Sequence, residues 1–545
     1  MRRFALLLTG LVTLLVAGAA ATPSSAGQSS ASTSSYGARG NCNANAWMCT
    51  EVSDSLGGAG AYTGHDEPSV LFYSNKKGSG NTSDYTFVLP KDPATQPKQD
   101  GTGSTWNFQQ HPAFWFGMAM CDNESAPEYT HGDCTPDSDT NIKDGTDPSN
   151  LDYIGYHAGT AFMEMQFYPP GWVSWEPGVS CTATQWCAAL NIDSLAIDYN
   201  NNVNNNNACR NSAGDEPVGF AFITKNGKPQ ATVDPRTAFA PPFDQTTPDL
   251  SKDLLMNPGD VIELKMHDTR AGFKVEIHDK TNGQHGSMTA GADNGWNHVL
   301  FQPGSSKCNV LPYSFHPMYS TSSEHTRVPW AAHSYNVAFS DEIGHFEYCS
   351  SVDDNTGNCN DGGNATDTGR NDADDFGCFD AGDSLLVAVG GCLGGDNDFD
   401  GTSYKTNSWP GNGHDSIAPD PVTFTSPTFN GHDYDRVAFE ADLSRIEQFQ
   451  NCDRFVTGKN CSNPPRDAQF YPFFSTNDST KLKGCAWTEG GPSYPGTVNN
   501  FGGSSGTEFG QTLLLLTYPG AVWTPTTRLN DYRNVLSSNP CPAHT

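Results

Sequence analysis

The chain has 545 residues, with 61 Asp and Glu against 30 Lys and Arg, and so a formal net charge of −31. This charge repels nucleic acid and anionic membrane surfaces, so neither is expected as a partner, and it suits solubility, cation binding or work at low pH. Charged residues make up only 17 %, whereas the 55 Gly and 36 Pro favour many short strands joined by turns.

The N-terminus has the organisation of a secretory signal. Arg2 and Arg3 precede an apolar run from Phe4 to about Val16, and small residues lead to Ala21. We predict a signal peptide over 1–21, with twin-arginine export as an alternative to the general route. The apolar run is shorter than the roughly 20 residues of a spanning helix, so a secreted, extracellular protein without a membrane span is expected.

Composition divides the remaining chain into four parts. Residues 22–41 form a Ser-rich flexible segment, and 42–349 are predicted to form an antiparallel β-sandwich or jelly roll. An Asp-rich connection over 350–400 leads to a smaller Cys-rich β region over 401–545. The predicted fold class is therefore all-β, and a monomer is expected.

Strands are predicted where apolar and polar residues alternate between turn residues. In chain order the candidates are Ser69–Tyr73, Tyr85–Leu89, Phe114–Met120, Ala161–Tyr168, Ser194–Asp198, Gly219–Thr224, Ile262–Met266, Phe273–Ile277, Val422–Phe424 and Thr512–Thr517. The segment from Val437 to Phe449 fits a helix or a strand. Asn282-Gly283 marks a hairpin turn, because both central residues of the tightest turn need a positive φ.

The sixteen cysteines all follow the signal, and an even number in an exported chain indicates disulfides. Local pairs are predicted from close spacing: Cys42/Cys49, Cys121/Cys134, Cys181/Cys187, Cys349/Cys359, Cys378/Cys392 and Cys452/Cys461. Zinc is the alternative ligand of such cysteines, but the C-x-x-C spacing of zinc sites is absent.

The strand Ala161–Tyr168 carries the first candidate catalytic group. Glu164 and Gln166 share one face of it, and this carboxylate and amide suit acid–base work on a polar substrate. The alternative is a face that simply meets solvent. Trp172 and Trp175 follow and are candidates for stacking on sugar rings, or else buried structural residues.

The run from His316 to Cys349 is the second candidate site. It contains four histidines, of which His333 and His345 are candidate substrate-binding residues, and the carboxylates Asp341 and Glu342 are candidate catalytic groups. The spacing H-E-x-x-H of helical zinc sites is absent, so a metal site, an acid–base site and hydrogen-bonded loop residues all stay open.

The most specific local motif is the hexapeptide Asp396-Asn397-Asp398-Phe399-Asp400-Gly401, which resembles the opening of EF-hand and dockerin-like calcium loops. Asp396, Asp398 and Asp400 would bind a structural Ca²⁺. The twelfth position is Asn407 rather than a bidentate Glu, so other carboxylates would complete the site. A solvated Asp-rich turn is the alternative.

Three segments together resemble the glutamic peptidases (eqolisins). Ala161–Pro169 is similar to the A-W-Y-E-W-Y-P strand of that family, Gly259–Gln284 to its G-D-x-I…T-T-G-Q hairpin, and Phe346–Cys349 to the end of its catalytic-Glu strand. The resemblance implies a concanavalin-like sandwich and an acid-acting peptidase. It places the catalytic Glu of the family near Ser340, Asp341 or Glu342, and gives its catalytic Gln no counterpart.

P-loop and dinucleotide motifs are absent from the sequence, which disfavours NTPases and Rossmann oxidoreductases. The prediction is a secreted hydrolase that acts on an extracellular polymer, polysaccharide before protein, through paired carboxylates. The alternative is a non-catalytic carbohydrate- or cell-wall-binding protein with structural calcium.

Overall fold

The computed structural model describes residues 69–91, 105–106, 113–121, 161–170, 181–194, 197–198, 203–317, 335–342, 348–349, 422–443, 474–489, 499–501 and 530–541, with gaps at 75, 77, 169, 183, 215–216, 239 and 537. The predicted signal, the Ser-rich segment, the Asp-rich connection and the predicted strand Thr512–Thr517 lie outside these residues. In the described part, no helix is both long and apolar enough to cross a membrane.

The first strands are β1 Ser69–Ser74, β2 Thr82–Val88, β3 Thr105–Trp106, β4 Ala113–Cys121, β5 Ala161–Tyr168, β6 Cys187–Ser194, β7 Ile197–Asp198, β8 Val203–Asn204 and β9 Val218–Phe222. They continue with β10 Val261–His267, β11 Phe273–Asp279, β12 His285–Ala290, β13 Asn297–Val299, β14 Val310–Pro312, β15 His316–Pro317, β16 Tyr335–Glu342 and β17 Tyr348–Cys349. The last are β18 Thr423–Thr425, β19 Thr428–Phe429, β20 His432–Asp433, β21 Arg436–Leu443, β22 Phe474–Ser479, β23 Gly484–Glu489, β24 Asn499–Phe501 and β25 Asn530–Leu536. The helices are α1 Asn207–Ala213 and two 3-10 turns, Ser79–Asn81 and Ala292–Asn294.

Two large antiparallel sheets contain most of these strands, which confirms the all-β prediction. Sheet A has the order β25-β21-β1-β16-β4-β5-β6-β9, with β15 paired to β4. Sheet B has the order β12-β11-β10-β2-β18-β23-β22-β24, with the β19–β20 hairpin beside β2. The described strands of the predicted C-terminal region 401–545 belong to both sheets.

The core lies between the two sheets and is rich in aromatic rings. Phe87 of β2 contacts Phe114 of β4 edge to face at 5.7 Å, and Tyr85 contacts Phe116 at 4.4 Å. Strand alternation explains the arrangement, because β2 and β10 bury every second side chain and leave the others at the surface.

Hairpins join the strands at the predicted turns, with one difference in geometry. At 282–283 only Gly283 has a positive φ, so β11 and β12 are joined by the five residues 280–284 rather than by a two-residue turn. The two-residue turn occurs instead at Asn430-Gly431, where both residues have a positive φ (51° and 76°) between β19 and β20.

The described disulfides staple the chain both locally and over long distances. Cys181–Cys187 confirms one predicted local pair. Cys209–Cys308 and Cys485–Cys541 join residues 99 and 56 positions apart, and they pair four cysteines that the sequence prediction left unassigned. Sequence spacing missed them because α1 and the hairpin strands bring distant residues together only in the folded sheets. The other predicted pairs involve residues outside the described part of the chain or without described side chains.

Candidate functional site

Strand β5 separates its side chains between the core and the outer face of sheet A. Met163, Met165 and Phe167 are completely buried against sheet B. The alternate residues Glu164 and Gln166 lie on the opposite face, as the sequence predicts, yet are only 3 % and 6 % exposed. A carboxylate and an amide removed from water in this way need polar partners.

Those partners come first from the strand itself. The hydroxyl of Tyr168 donates a hydrogen bond to Gln166 Oε1, and Gln166 Nε2 donates one to Glu164 Oε2. The tyrosine therefore fixes which end of the amide faces the carboxylate. A side-chain amide has two N–H hydrogens, so the second remains for another acceptor.

Strand β6 extends the polar surface beside Glu164. Asn191 lies directly opposite Glu164 in the ladder, and Asp193 lies two positions further along, opposite Phe162. Both side chains are buried. Diagonal neighbours of this kind in antiparallel sheets have Cα atoms about 7–8 Å apart, so Glu164 and Asp193 form a candidate carboxylate pair.

On its other side Glu164 lies beside small residues. Gly117 of β4 is directly opposite it, and Ala338 of β16 is opposite Gly117. The next row is different, because Gln166 lies opposite Trp115, and Trp115 opposite Ser340. This small-residue row brings no large side chain alongside the carboxylate from β4 or β16.

The two predicted second carboxylates occupy different register positions on β16. Asp341 pairs with Phe114, whose ring belongs to the core, and Glu342 pairs with Ala113, the position next to Phe114 along β4. Glu342 therefore occupies a register position equivalent to those of Trp115 and Gln166. Asp341 occupies one equivalent to those of the core residues. The register makes Glu342 the better candidate of the two.

The other predicted site residues are distributed as follows. Trp172, Trp175, His333, His345 and the predicted calcium ligands Asp396, Asp398 and Asp400 lie outside the described residues. His316 of the histidine run is described: its Nδ1 lies 2.7 Å from Asp268 Oδ1, and both side chains are nearly buried. Among the described residues no group of three His, Cys, Asp or Glu side chains is arranged to hold a metal ion.

Sequence reasoning missed Tyr168, Asn191 and Asp193 as members of this polar network. Tyr168 was detectable, since it follows Gln166 by two residues on a predicted strand and so shares its face. Asn191 and Asp193 alternate with Leu190 and Ile192, but their place beside Glu164 depends on the pairing of β6 with β5, which the sequence does not show.

Comparisons with known proteins add little to this geometry. No protein-family model matches the chain, and no curated protein matches it significantly. Among solved structures it is similar to Scytalido-glutamic peptidase crystallised with a peptide-based transition-state analogue, at 10 % identity and a TM-score of 0.20, over 78 % of this chain and 98 % of the peptidase. This is the family that the sequence motifs resemble, but such a low TM-score and identity establish neither a common fold nor a common activity.

Proposed function

We propose that the protein is a secreted hydrolase that cleaves an extracellular polymer on the outer face of sheet A, with Glu164 and Gln166 as its catalytic pair. The observation that carries the proposal is the buried hydrogen bond from Gln166 Nε2 to Glu164 Oε2. Gln166 places an amide N–H donor beside the carboxylate, and a donor there can stabilise the oxyanion that forms in peptide-bond hydrolysis.

The chemistry that this pair supports is hydrolysis through a tetrahedral intermediate. Glu164 accepts a proton from water while the water oxygen bonds to the scissile carbonyl carbon. The second N–H of Gln166 donates to the oxyanion that forms. The C–N bond then breaks as the Glu164 carboxyl returns the proton to the leaving nitrogen, which restores the carboxylate.

Tyr168 has a positioning role in this scheme. Its hydroxyl holds Gln166 Oε1, so the N–H groups of the amide face Glu164 and the reacting carbonyl. Without this hydrogen bond the amide can rotate and present its oxygen, an acceptor, to the oxyanion.

A polysaccharide is the second candidate substrate, and the position of Asp193 favours it. Glycosidases use two carboxyl groups separated by about 5–10 Å. Glu164 with Asp193 would form such a pair, because they are diagonal neighbours on adjacent strands. The peptidase scheme needs only Glu164 and Gln166. The predicted signal peptide and the disulfides support export. A structural Ca²⁺ on Asp396, Asp398 and Asp400 remains part of the proposal.

The test is to replace Glu164 and assay the purified protein on unfolded protein and on neutral polysaccharides across acid and neutral pH. Glu164→Gln removes the proton acceptor and is expected to lower kcat by about 10²–10⁴-fold. Tyr168→Phe should lower kcat with little change in KM, because its hydroxyl positions the Gln166 amide. Asp244→Asn is the matched control, an exposed carboxylate-to-amide change that should keep full activity.

Turnover by Glu164→Gln equal to that of the wild type would contradict the assignment of Glu164 as a catalytic residue. Turnover of polysaccharide but not of protein, lost in Asp193→Asn, would move the proposal to the carboxylate pair. If the wild type binds a polymer but does not cleave it, the protein would instead be a non-catalytic carbohydrate- or cell-wall-binding protein.

A further inference from the structure

The outer face of sheet B contains a cleft of about 600 Å³ that the proposed chemistry does not use. Its floor consists of the outward-facing side chains of β2, β10 and β11. Its walls are the β19–β20 hairpin and the turn between β22 and β23. Because Glu164 lies on the outer face of sheet A, the two sites are on opposite sides of the sandwich.

The ladder arranges the floor in rows across three strands. One row contains Asp84, Lys265 and Glu276, each directly opposite the next. The neighbouring row contains Thr86, Glu263 and His278, so acceptors and donors alternate over the surface.

Two of the floor carboxylates are already held by cations. Glu276 lies 2.6 Å from the ammonium group of Lys274 and 2.9 Å from His267 Nε2. Glu263 lies 3.1 Å from the ammonium group of Lys280. These contacts fix the two carboxylates at the surface and offset part of their charge.

Asp84 and Lys265 differ from these held groups. They are direct cross-strand partners, yet among the described residues neither side chain makes a hydrogen bond or an ion pair. Both are half-buried. The centre of the cleft thus presents one acceptor and one donor that the fold itself leaves unused.

The wall adds hydroxyl groups. Thr425 Oγ1 accepts a hydrogen bond from the backbone N–H of Thr86 at 3.0 Å, which leaves its own hydrogen for a ligand. Thr428 lies opposite Asp84 on the other side of β2. Leu482 and Cys485 are the only apolar residues that line this cleft.

This lining excludes most ligand classes. Four carboxylates repel an anion, and Lys265 at the centre disfavours a cation. The apolar surface is too small for an apolar ligand, and the described residues hold no metal-binding group. Mixed donors and acceptors in a cavity of this size suit a neutral ligand rich in hydroxyl groups.

We propose that this cleft is a carbohydrate-binding site that takes one or two sugar units of a neutral polysaccharide. Sugar hydroxyls donate to Asp84 and accept from Lys265, and recognition depends on hydrogen bonds because no Phe, Tyr or Trp ring lines the cleft. The site does not rest on the proposed hydrolase. It would hold the protein on a polymer while the opposite face remains accessible.

Affinity electrophoresis tests the proposal with three soluble probes: a β-1,3-glucan, a xyloglucan and a glucomannan. At least one of them should retard the wild type. Asp84→Asn and Lys265→Met should each weaken that retardation at least about 10-fold, since each removes a hydrogen bond to a charged group. Glu164→Gln and the exposed controls Asp244→Asn and Lys307→Met should migrate like the wild type.

A melting curve for each variant shows whether it is folded. If only one of Asp84→Asn and Lys265→Met folds, that variant alone tests the proposal. The proposal is overturned if none of the three probes retards the wild type. It is also overturned if the folded cleft variants are retarded as strongly as the wild type. Retardation by polylysine that Asp84→Asn abolishes overturns it too, because the ligand would then be cationic. Loss of binding in Glu164→Gln alone would assign the sugar to sheet A instead.

Discussion

Asp253 shows how one buried side chain can couple the fold to pH. It is 0 % exposed, its Oδ2 accepts a hydrogen bond from the backbone N–H of Asp249 at 2.8 Å, and its Oδ1 has no hydrogen-bond partner among the described residues. Burial raises the pKa of Asp253 to about 7, and the charge of Asp249 adds to this effect against the opposing hydrogen bond from the Asp249 backbone. The folded protein therefore prefers Asp253 protonated.

The sign of the pH dependence follows from this preference. Because the pKa in the folded state lies above the unfolded value, the stabilisation is fully present below about pH 4 and is lost as the pH rises through 7. The whole difference amounts to roughly 4 kcal/mol. Asp253→Asn keeps the acceptor for Asp249 but cannot ionise.

We expect Asp253→Asn to melt at a higher temperature than the wild type at neutral pH and to lose that advantage in acid. Thermal unfolding followed from acid to neutral pH measures this. Asp244→Asn, on the surface, is the control. A variant with the same pH profile as the wild type would show that Asp253 ionises without cost.

At the scale of elements, periodicity predicted strands in which apolar and polar residues alternate. In β5 the alternation of Met163, Glu164, Met165 and Gln166 located both the strand and its polar face. In β6, Asn191 and Asp193 alternate with Leu190 and Ile192, yet the predicted strand Ser194–Asp198 begins only where β6 ends. Pairing between β6 and β5 is tertiary information, so the site could be only half predicted.

Two hairpin glycines should differ in their tolerance of a side chain. Gly431 has φ 76°, and nothing lies within 4 Å of the position that a Cβ would take, so Gly431→Ala should cost only backbone strain, about 1–2 kcal/mol. Gly272 has φ 117°, and a Cβ there would lie 2.2 Å from the backbone oxygen of Ala290. Gly272→Ala should therefore be clearly more destabilising in urea unfolding. Equal effects would contradict the geometry of the turn before β11.

Charge dominates the molecule as a whole. A net charge of −31 opposes compaction by self-repulsion at neutral pH, and acid removes it. Buried carboxyls act in the same direction: burial, then a hydrogen bond with Asp260, raises the pKa of Asp279, and burial raises that of Asp84. The exposed Asp249 opposes them, since its hydrogen bond with Lys252 lowers its pKa to about 2.

We therefore expect the protein to be more stable in acid, near pH 4 to 5, than at about pH 8, by several degrees in Tm at low salt. Salt of about 0.5 M should raise Tm at pH 8 and have little effect in acid, because it screens only the repulsion between exposed charges. The part of the Tm difference between acid and neutral pH that remains in high salt should be smaller in Asp253→Asn than in the wild type, with Asp279 and Asp84 accounting for the remainder. A Tm that rises with pH would contradict this account.

The order of strands also has a consequence for how the chain is assembled. β1 and β2 are consecutive along the chain but lie in different sheets. β1 lies between β16 and β21, and β2 lies between β10 and β18. In each pair of neighbours one strand comes from beyond residue 422. Neither β1 nor β2 can have both of its neighbouring strands until the chain beyond residue 422 has been synthesised. Such distant pairing makes folding slow. The early strands therefore keep open edges until the strands from beyond residue 422 are available.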